Sequence, residues 1–191
     1  MRLLNTKTFN VQEFYVSIPR YAILSHTWGE GEVSFQDIQS LEVARDKPGF
    51  HKVENARARA RRYKFEWIWI DSCCINKESS AELSEAINSM FQYYEDAGVC
   101  YVYLSDVSGT YHPRNPKSHF RGGRWFTRGW TLQELLAPKD VVFLDNSWKR
   151  IGTRWSLRDI VSLATANTVS LRGCHGLQTG VQQGQRTERI A

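Results

Sequence analysis

Four short apolar runs, each continuous rather than alternating, constrain this chain most. They are residues 21–25 (YAILS), 67–71 (WIWID), 99–104 (VCYVYL) and 141–144 (VVFL). A strand with one wet face alternates apolar and polar side chains. A run without alternation predicts a strand covered on both faces. Helical patterns separate these runs. In residues 51–64, Val53, Ala56, Ala60 and Tyr63 recur at helical spacing. In residues 80–97, Leu83, Ile87, Met90, Tyr94 and Ala97 line one face, with Ser79 and Glu82 as a capping box at the start and Gly98 at the stop. Residues 128–136 form a third pattern. Strands and helices in alternation predict an α/β fold with three layers, α/β/α, around a mainly parallel sheet of four or five strands. Trp67, Ile68, Ile70, Val102 and Leu104 are expected in its core, and residues 3–14 are expected to add an edge strand or a short helix.

The length of 191 residues fits one domain with a tail. The domain is expected over 1–166. Residues 167–191, rich in Gly and Gln without a lasting period, are expected to be poorly ordered. No apolar run reaches the length of a membrane span, and the N-terminus lacks the apolar stretch of a signal peptide, so a cytoplasmic location is expected. The four cysteines and five histidines show no zinc-ligand spacing. No metal site is therefore expected, and Cys73, Cys74 and Cys100 are expected as buried apolar residues. The formal charge of +5 is concentrated near residues 57–64 and 114–128. The first cluster is the outer face of a helix, and neither sits in a helix-turn-helix or RNA-recognition pattern. Nucleic acid is not the expected partner.

Chemistry can be placed before any family is named. In open parallel sheets, ligands bind outside the carboxyl ends of the strands. That rule collects Ser25, His26, Trp28 and Gly29 after the first strand and Asp71 at the end of the second. Trp130 and Glu134 are four residues apart, so a helix puts them on one face. Trp130 is expected to bury its ring and to hold Glu134, partly exposed, at the edge of the apolar packing. A carboxylate there is either paired or put to use. A Ser25–His26–Asp71 triad is not expected, because adjacent side chains of a strand point to opposite faces. Glu134 is expected to face a cleft shared with Ser25, His26 and Trp28.

Four motifs in order carry a resemblance. Tyr-Ala-Ile-Leu-Ser-His-Thr-Trp-Gly (21–29), Trp-Ile-Asp-Ser-Cys-Cys-Ile-Asn-Lys (69–77), Glu-Leu-Ser-Glu-Ala-Ile-Asn-Ser-Met-Phe (82–91) and Arg-Gly-Trp-Thr-Leu-Gln-Glu-Leu-Leu (128–136) resemble the heterokaryon incompatibility (HET) domain of filamentous fungi. The resemblance runs from about residue 1 to residue 166. It implies recognition of non-self after hyphal fusion, with cell death as the output. HET domains are in turn similar to TIR domains, which implies a TIR-like, flavodoxin-like fold. Residues 130–135 resemble the Trp-Cys-x-x-Glu-Leu helix of TIR enzymes, in which the glutamate is the catalytic residue of NAD+ cleavage; the matching residue is Glu134. Family members usually continue into further helical sequence and separate sensor or repeat domains. Residues 168–191 match none of that, as in a truncated or misread gene product or a stand-alone effector.

The resemblance implies an enzyme that cleaves the nicotinamide–ribose bond of NAD+ as substrate, without a cofactor. It assigns Glu134 as the essential carboxylate; Ser25, His26, Trp28, Gly29 and Asp71 at the strand ends, with Trp130, are expected to bind the substrate. The alternative is a non-enzymatic signalling module that acts by self-association, or by assembly with other HET or sensor proteins.

Overall fold

The unbroken apolar runs become neighbouring strands. The structure, a computed structural model, describes the backbone of residues 1–175 and the side chains of residues 1–166. The described residues form seven strands: β1 (Arg2–Asn5), β2 (Val11–Glu13), β3 (Tyr21–His26), β4 (Trp67–Ile70), β5 (Val99–Tyr103), β6 (Val141–Leu144) and β7 (Arg150–Thr153). They make one sheet in the order β2-β1-β4-β3-β5-β6-β7. The four expected strands stand together at its centre and run parallel. The expected count of four or five was short. β1 and β2 form an antiparallel hairpin beside β4, and β7 lies antiparallel to β6. The hairpin accounts for residues 3–14, which hold two strands rather than one strand or a helix.

The helices are α1 (Leu41–Arg45), α2 (Phe50–Arg62), α3 (Asp71–Cys74), α4 (Ser80–Glu95), α5 (Thr131–Leu136) and α6 (Arg158–His175). α2 buries Val53, Ala56 and Ala60 as its period requires. Tyr63 lies just past its last turn and is half exposed, because the helix has already ended there. α4 is capped at its start by Ser79, whose hydroxyl accepts the Glu82 N–H at 3.4 Å. The capping box is only half formed. Glu82 turns instead to the backbone N–H of Asn76 and to Arg2. Tyr94 of α4 is buried, with its ring and that of Tyr93 against Trp69, but Ile87 is exposed at the edge of the expected face. α6 continues to His175, so residues 167–175 of the expected tail are helical; residues 176–191 lie outside the described residues.

All six residues of β3 and all five of β5 are buried. Ile68, Ile70, Val102 and Leu104 are likewise buried, and so are Cys73, Cys74 and Cys100. Trp67 is only partly buried, since it sits one strand from the hairpin edge and meets the Phe14 ring edge-on at 5.0 Å. Numbered among themselves in chain order, the parallel strands run 2-1-3-4 across the sheet. The winding direction reverses between β3 and β5. In such sheets the reversal opens a crevice at the carboxyl ends of the two strands. Residues 27–36 leave β3 at this end, and residues 104–130 leave β5 there.

Candidate functional site

Ser25 and His26 are neighbours on β3, so they serve opposite faces of the sheet. The expected site accordingly divides into two clusters, one around each residue.

The first cluster is built on Ser25, 1% exposed. Its hydroxyl donates to Glu134 Oε2 at 2.6 Å and accepts the Trp125 indole N–H at 2.6 Å. Trp125 is fully buried and meets the rings of Phe126 and Phe143 edge-on. Its carbonyl accepts the Thr131 hydroxyl at 2.5 Å, which ties the start of α5 to the same turn. Arg128 donates to both oxygens of Glu134, at 2.8 and 2.9 Å. A fork-on-fork pair of this kind is charge-assisted and directional. Burial alone lowers the Arg128 pKa, but the Glu134 carboxylate outweighs it and holds the guanidinium charged. Burial also pushes the phenol of Tyr94 well up, and Glu134 and Asp71 add to the push, so this wall of the cluster stays neutral.

Two expectations change here. Trp130 does not bury its ring; it is 45% exposed and caps α5 from outside the helix. Trp130 is the N-cap, and its carbonyl accepts the Glu134 N–H at 3.0 Å, yet its ring is exposed while Glu134 is buried. Glu134 is 4% exposed rather than partly exposed, and its weight in stability is correspondingly larger.

The second cluster surrounds His26, 2% exposed. Its Nε2 is 3.4 Å from Glu32 Oε2 and its Nδ1 is 3.9 Å from Asp71 Oδ1, and neither nitrogen completes a hydrogen bond. Glu32 also pairs with Lys52 and accepts the Gly29 N–H at 2.8 Å. Burial alone raises the Glu32 pKa, but His26, Lys52 and the Gly29 N–H outweigh it and bring it to about 2. Lys52 is itself buried and donates to the Thr27 carbonyl at 3.2 Å. Asp71 opens α3 instead of ending β4, and its Oδ2 accepts the Trp28 indole N–H at 2.8 Å. Trp28 is 46% exposed, with the Lys77 ammonium 3.2 Å from its ring centre. Burial lowers the Lys77 pKa, with Asp71 the largest opposing influence.

Both clusters sit at the carboxyl ends of the central strands. Ser25 and Glu134 are brought together; His26, Trp28, Gly29 and Asp71 are brought together beside them. The charge of Asp71 reaches Arg128 and Tyr94, which links the two clusters electrostatically. The sequence reading missed Arg128 and Trp125 as partners of Glu134 and Ser25, and Glu32 and Lys52 as partners of His26. Arg128 carried a signal, a cation six residues before a carboxylate at a helix start, though charge alone assigns it only to the basic cluster of residues 114–128. Lys52 carried a signal as well, since it stands four residues before Ala56 and eight before Ala60, on the face that α2 buries.

Among the described residues no group of three or more His, Cys, Asp or Glu side chains is arranged to hold a metal ion. No described helix is long and apolar enough to cross a membrane.

The chain matches known proteins at the level of family. Residues 21–119 match the model of the heterokaryon incompatibility protein (HET) family. The vegetative incompatibility protein HET-E-1 of Podospora anserina is 47% identical over 163 residues, which cover 82% of this chain. They cover only 12% of the relative, so the similarity concerns one part of a much longer protein. No solved structure matches the chain significantly. With a family model covering half of the sequence and a relative this similar along most of it, the chain belongs to the heterokaryon incompatibility (HET) family.

Proposed function

We propose that this domain is a cytoplasmic effector of non-self recognition and cell death in a fungus, and that it acts by cleaving the nicotinamide–ribose bond of NAD+. The role follows the names of its family and of HET-E-1. The chemistry rests on the similarity of residues 130–135 to the TIR catalytic helix. A three-layer TIR-like fold is part of the same reading. The 2-1-3-4 order of the parallel strands supports it, since flavodoxin-like sheets wind in that way. The observation that carries the proposal is the 2.6 Å contact between Ser25 and Glu134 at the crevice where the winding reverses.

Nicotinamide leaves as a neutral molecule, and the ribose passes through an oxocarbenium-like state. A fixed carboxylate stabilises that developing positive charge. Glu134 supplies it, with Ser25 holding one oxygen in place. Arg128 is the gate. At rest it occupies both carboxylate oxygens, so Glu134 can reach a ribose only when the guanidinium turns away. The NAD+ pyrophosphate is a competing anion for that guanidinium. Trp130 and the face of Trp28 turned away from Lys77 offer platforms for a flat ring, and His26, Gly29 and Asp71 border the same rim. Incubating the purified, concentrated protein with NAD+ and weighing the products tests this. Nicotinamide with ADP-ribose or its cyclic form is expected; NAD+ recovered intact at high protein concentration contradicts it.

A second reading is favoured by a different observation. Trp130, Leu132 and Leu136 stand 45%, 47% and 67% exposed along α5. Clustered exposed apolar side chains mark association surfaces. On this reading the Arg128–Glu134 pair only shapes α5, and the domain signals by assembling with copies of itself or with other HET or sensor proteins. Leu132→Lys with Leu136→Lys then abolishes both assembly and killing, whereas Glu134→Gln leaves killing intact.

A further inference from the structure

The opposite rim of the sheet carries a second concave site. A cavity of about 310 Å³ lies at the amino ends of β3, β5 and β6. It is roughly 16 Å from Ser25, five residues at about 3.3 Å each along the strands. Arg20, Arg59 and Arg150 line it, with Tyr63, Phe65 and Tyr101 beneath them. Asp140 is the one carboxylate in the lining. Among the described residues no ion pair engages any of the three guanidiniums.

The guanidiniums are positioned, not merely present. Arg20 lies over the Phe65 ring at 4.4 Å from its centre. Gly98 makes room for that stack, because a Cβ there would stand 2.6 Å from Phe65 and 3.2 Å from Arg20 Nε. Arg59 extends from the last turn of α2 over Tyr101, at 5.6 Å from the ring centre, and its Nη1 donates to the Trp148 carbonyl at 2.9 Å. Its Nε is buried with no hydrogen-bond partner. A guanidinium over an aromatic ring can still turn N–H groups to an anion; Arg20 is exposed, and Arg59 keeps its Nη2 for that contact. The charges of Arg20, Arg59 and Arg150, less that of Asp140, leave two, the charge of a phosphate monoester dianion. The aromatic and Val99–Val142 walls suit an organic group, and the volume suits a small one. Tyr63 is 51% exposed, with the Arg59 guanidinium 5.9 Å from its ring centre, so the stacking face is the one turned away from Arg59.

We propose that this rim is a second ligand site, for a phosphate monoester of nucleoside-monophosphate size. Arg20, Arg59 and Arg150 hold the phosphate, and Tyr63 stacks on the flat ring. The site is separate from the Ser25–Glu134 cluster and does not depend on any activity there.

Titrating the full chain with adenosine 5′-monophosphate, adenosine and inorganic phosphate, followed by amide NMR shifts, tests it. The monophosphate should bind saturably and shift Gly98, Val99 and Asp140. Adenosine and inorganic phosphate should each bind at least about tenfold more weakly, because each lacks half of the contacts. Arg20→Gln with Arg150→Gln changes two exposed residues, so the melting temperature should hold while affinity falls about tenfold or more. The proposal is overturned if the monophosphate does not saturate, or if its shifts centre on Ser25 and Trp125. It is equally overturned if inorganic phosphate binds as tightly, or if the folded double variant binds as the parent does.

Discussion

Arg128 holds both carboxylate oxygens of Glu134 while the Glu134 side chain is only 5% exposed. The pair anchors α5 to the end of β3 through Ser25, and it decides what each substitution at the site costs.

Glu134→Ala leaves the largely buried guanidinium without its paired carboxylate, with Asp71 acting on it only at a distance. Removing one partner of a buried pair costs about 3–5 kcal/mol, and the partial exposure of Arg128, 21%, places this case near about 3. Urea denaturation should show that loss. The double variant Arg128→Met with Glu134→Leu should recover most of it, since apolar residues of similar size fill the site without a desolvation penalty. A Glu134→Ala protein as stable as the parent contradicts the observed pairing.

Ser25→Ala removes the hydroxyl that accepts from Trp125 and donates to Glu134. Trp125 is fully buried, so its indole N–H is left without a partner. An orphaned buried donor costs about 1–3 kcal/mol. The loss should be measurable in denaturant midpoint with an unchanged slope. Near-UV circular dichroism of the tryptophans should change with it.

Glu32 sets a pH dependence. Its pKa falls from 4.5 to about 2 on folding. A depressed carboxylate contributes stability that is present above the unfolded value and lost as pH falls through the folded one. Stability should therefore fall as pH drops from about 4.5 to about 2. Glu32→Gln should flatten that part of the curve and lower stability at neutral pH, because Lys52 is left buried. A parent and variant with the same slope in this window would refute the assignment.

Gly31 holds the turn that delivers Glu32. Its φ is +67°, and a Cβ there would meet Pro48 Cδ at 2.7 Å. Its carbonyl also accepts the Gly49 N–H at 2.9 Å. Gly31→Ala should cost about 1–3 kcal/mol through backbone strain and the clash together. Unfolding by denaturant measures it, and a neutral effect contradicts the left-handed turn.

The central strands were legible because burial on both faces removes alternation, as in the WIWI of β4. β2 (VQE) and β7 (RIGT) were not, since each is a short edge strand with a single branched apolar residue before its polar neighbours. Their pairing comes from β1 and β6, not from their own composition. At the site, Ser25 and Glu134 were legible as a strand end and a motif. The division from His26 was implicit in the strand's two-residue period, yet a single cleft was expected. The pairing of Glu134 with Arg128 depends on a turn at residues 128–130 that no periodicity encodes. Burial of Lys52 depends on Glu32 coming back over α2, which is a matter of the loop's path.

The central claim, NAD+ cleavage by Glu134, is tested most directly by the rate of nicotinamide release. The parent protein is compared with a Glu134→Gln variant shown to be folded by its circular dichroism. The amide keeps the shape and can still accept from Arg128, but it removes the negative charge. Loss of a preorganised electrostatic group costs about 3–4 kcal/mol in the transition state, roughly a hundredfold or more in rate. The parent should release nicotinamide, and the folded variant should be slower by at least that factor. A folded Glu134→Gln protein that consumes NAD+ at the parent rate, or a parent that consumes none, contradicts it.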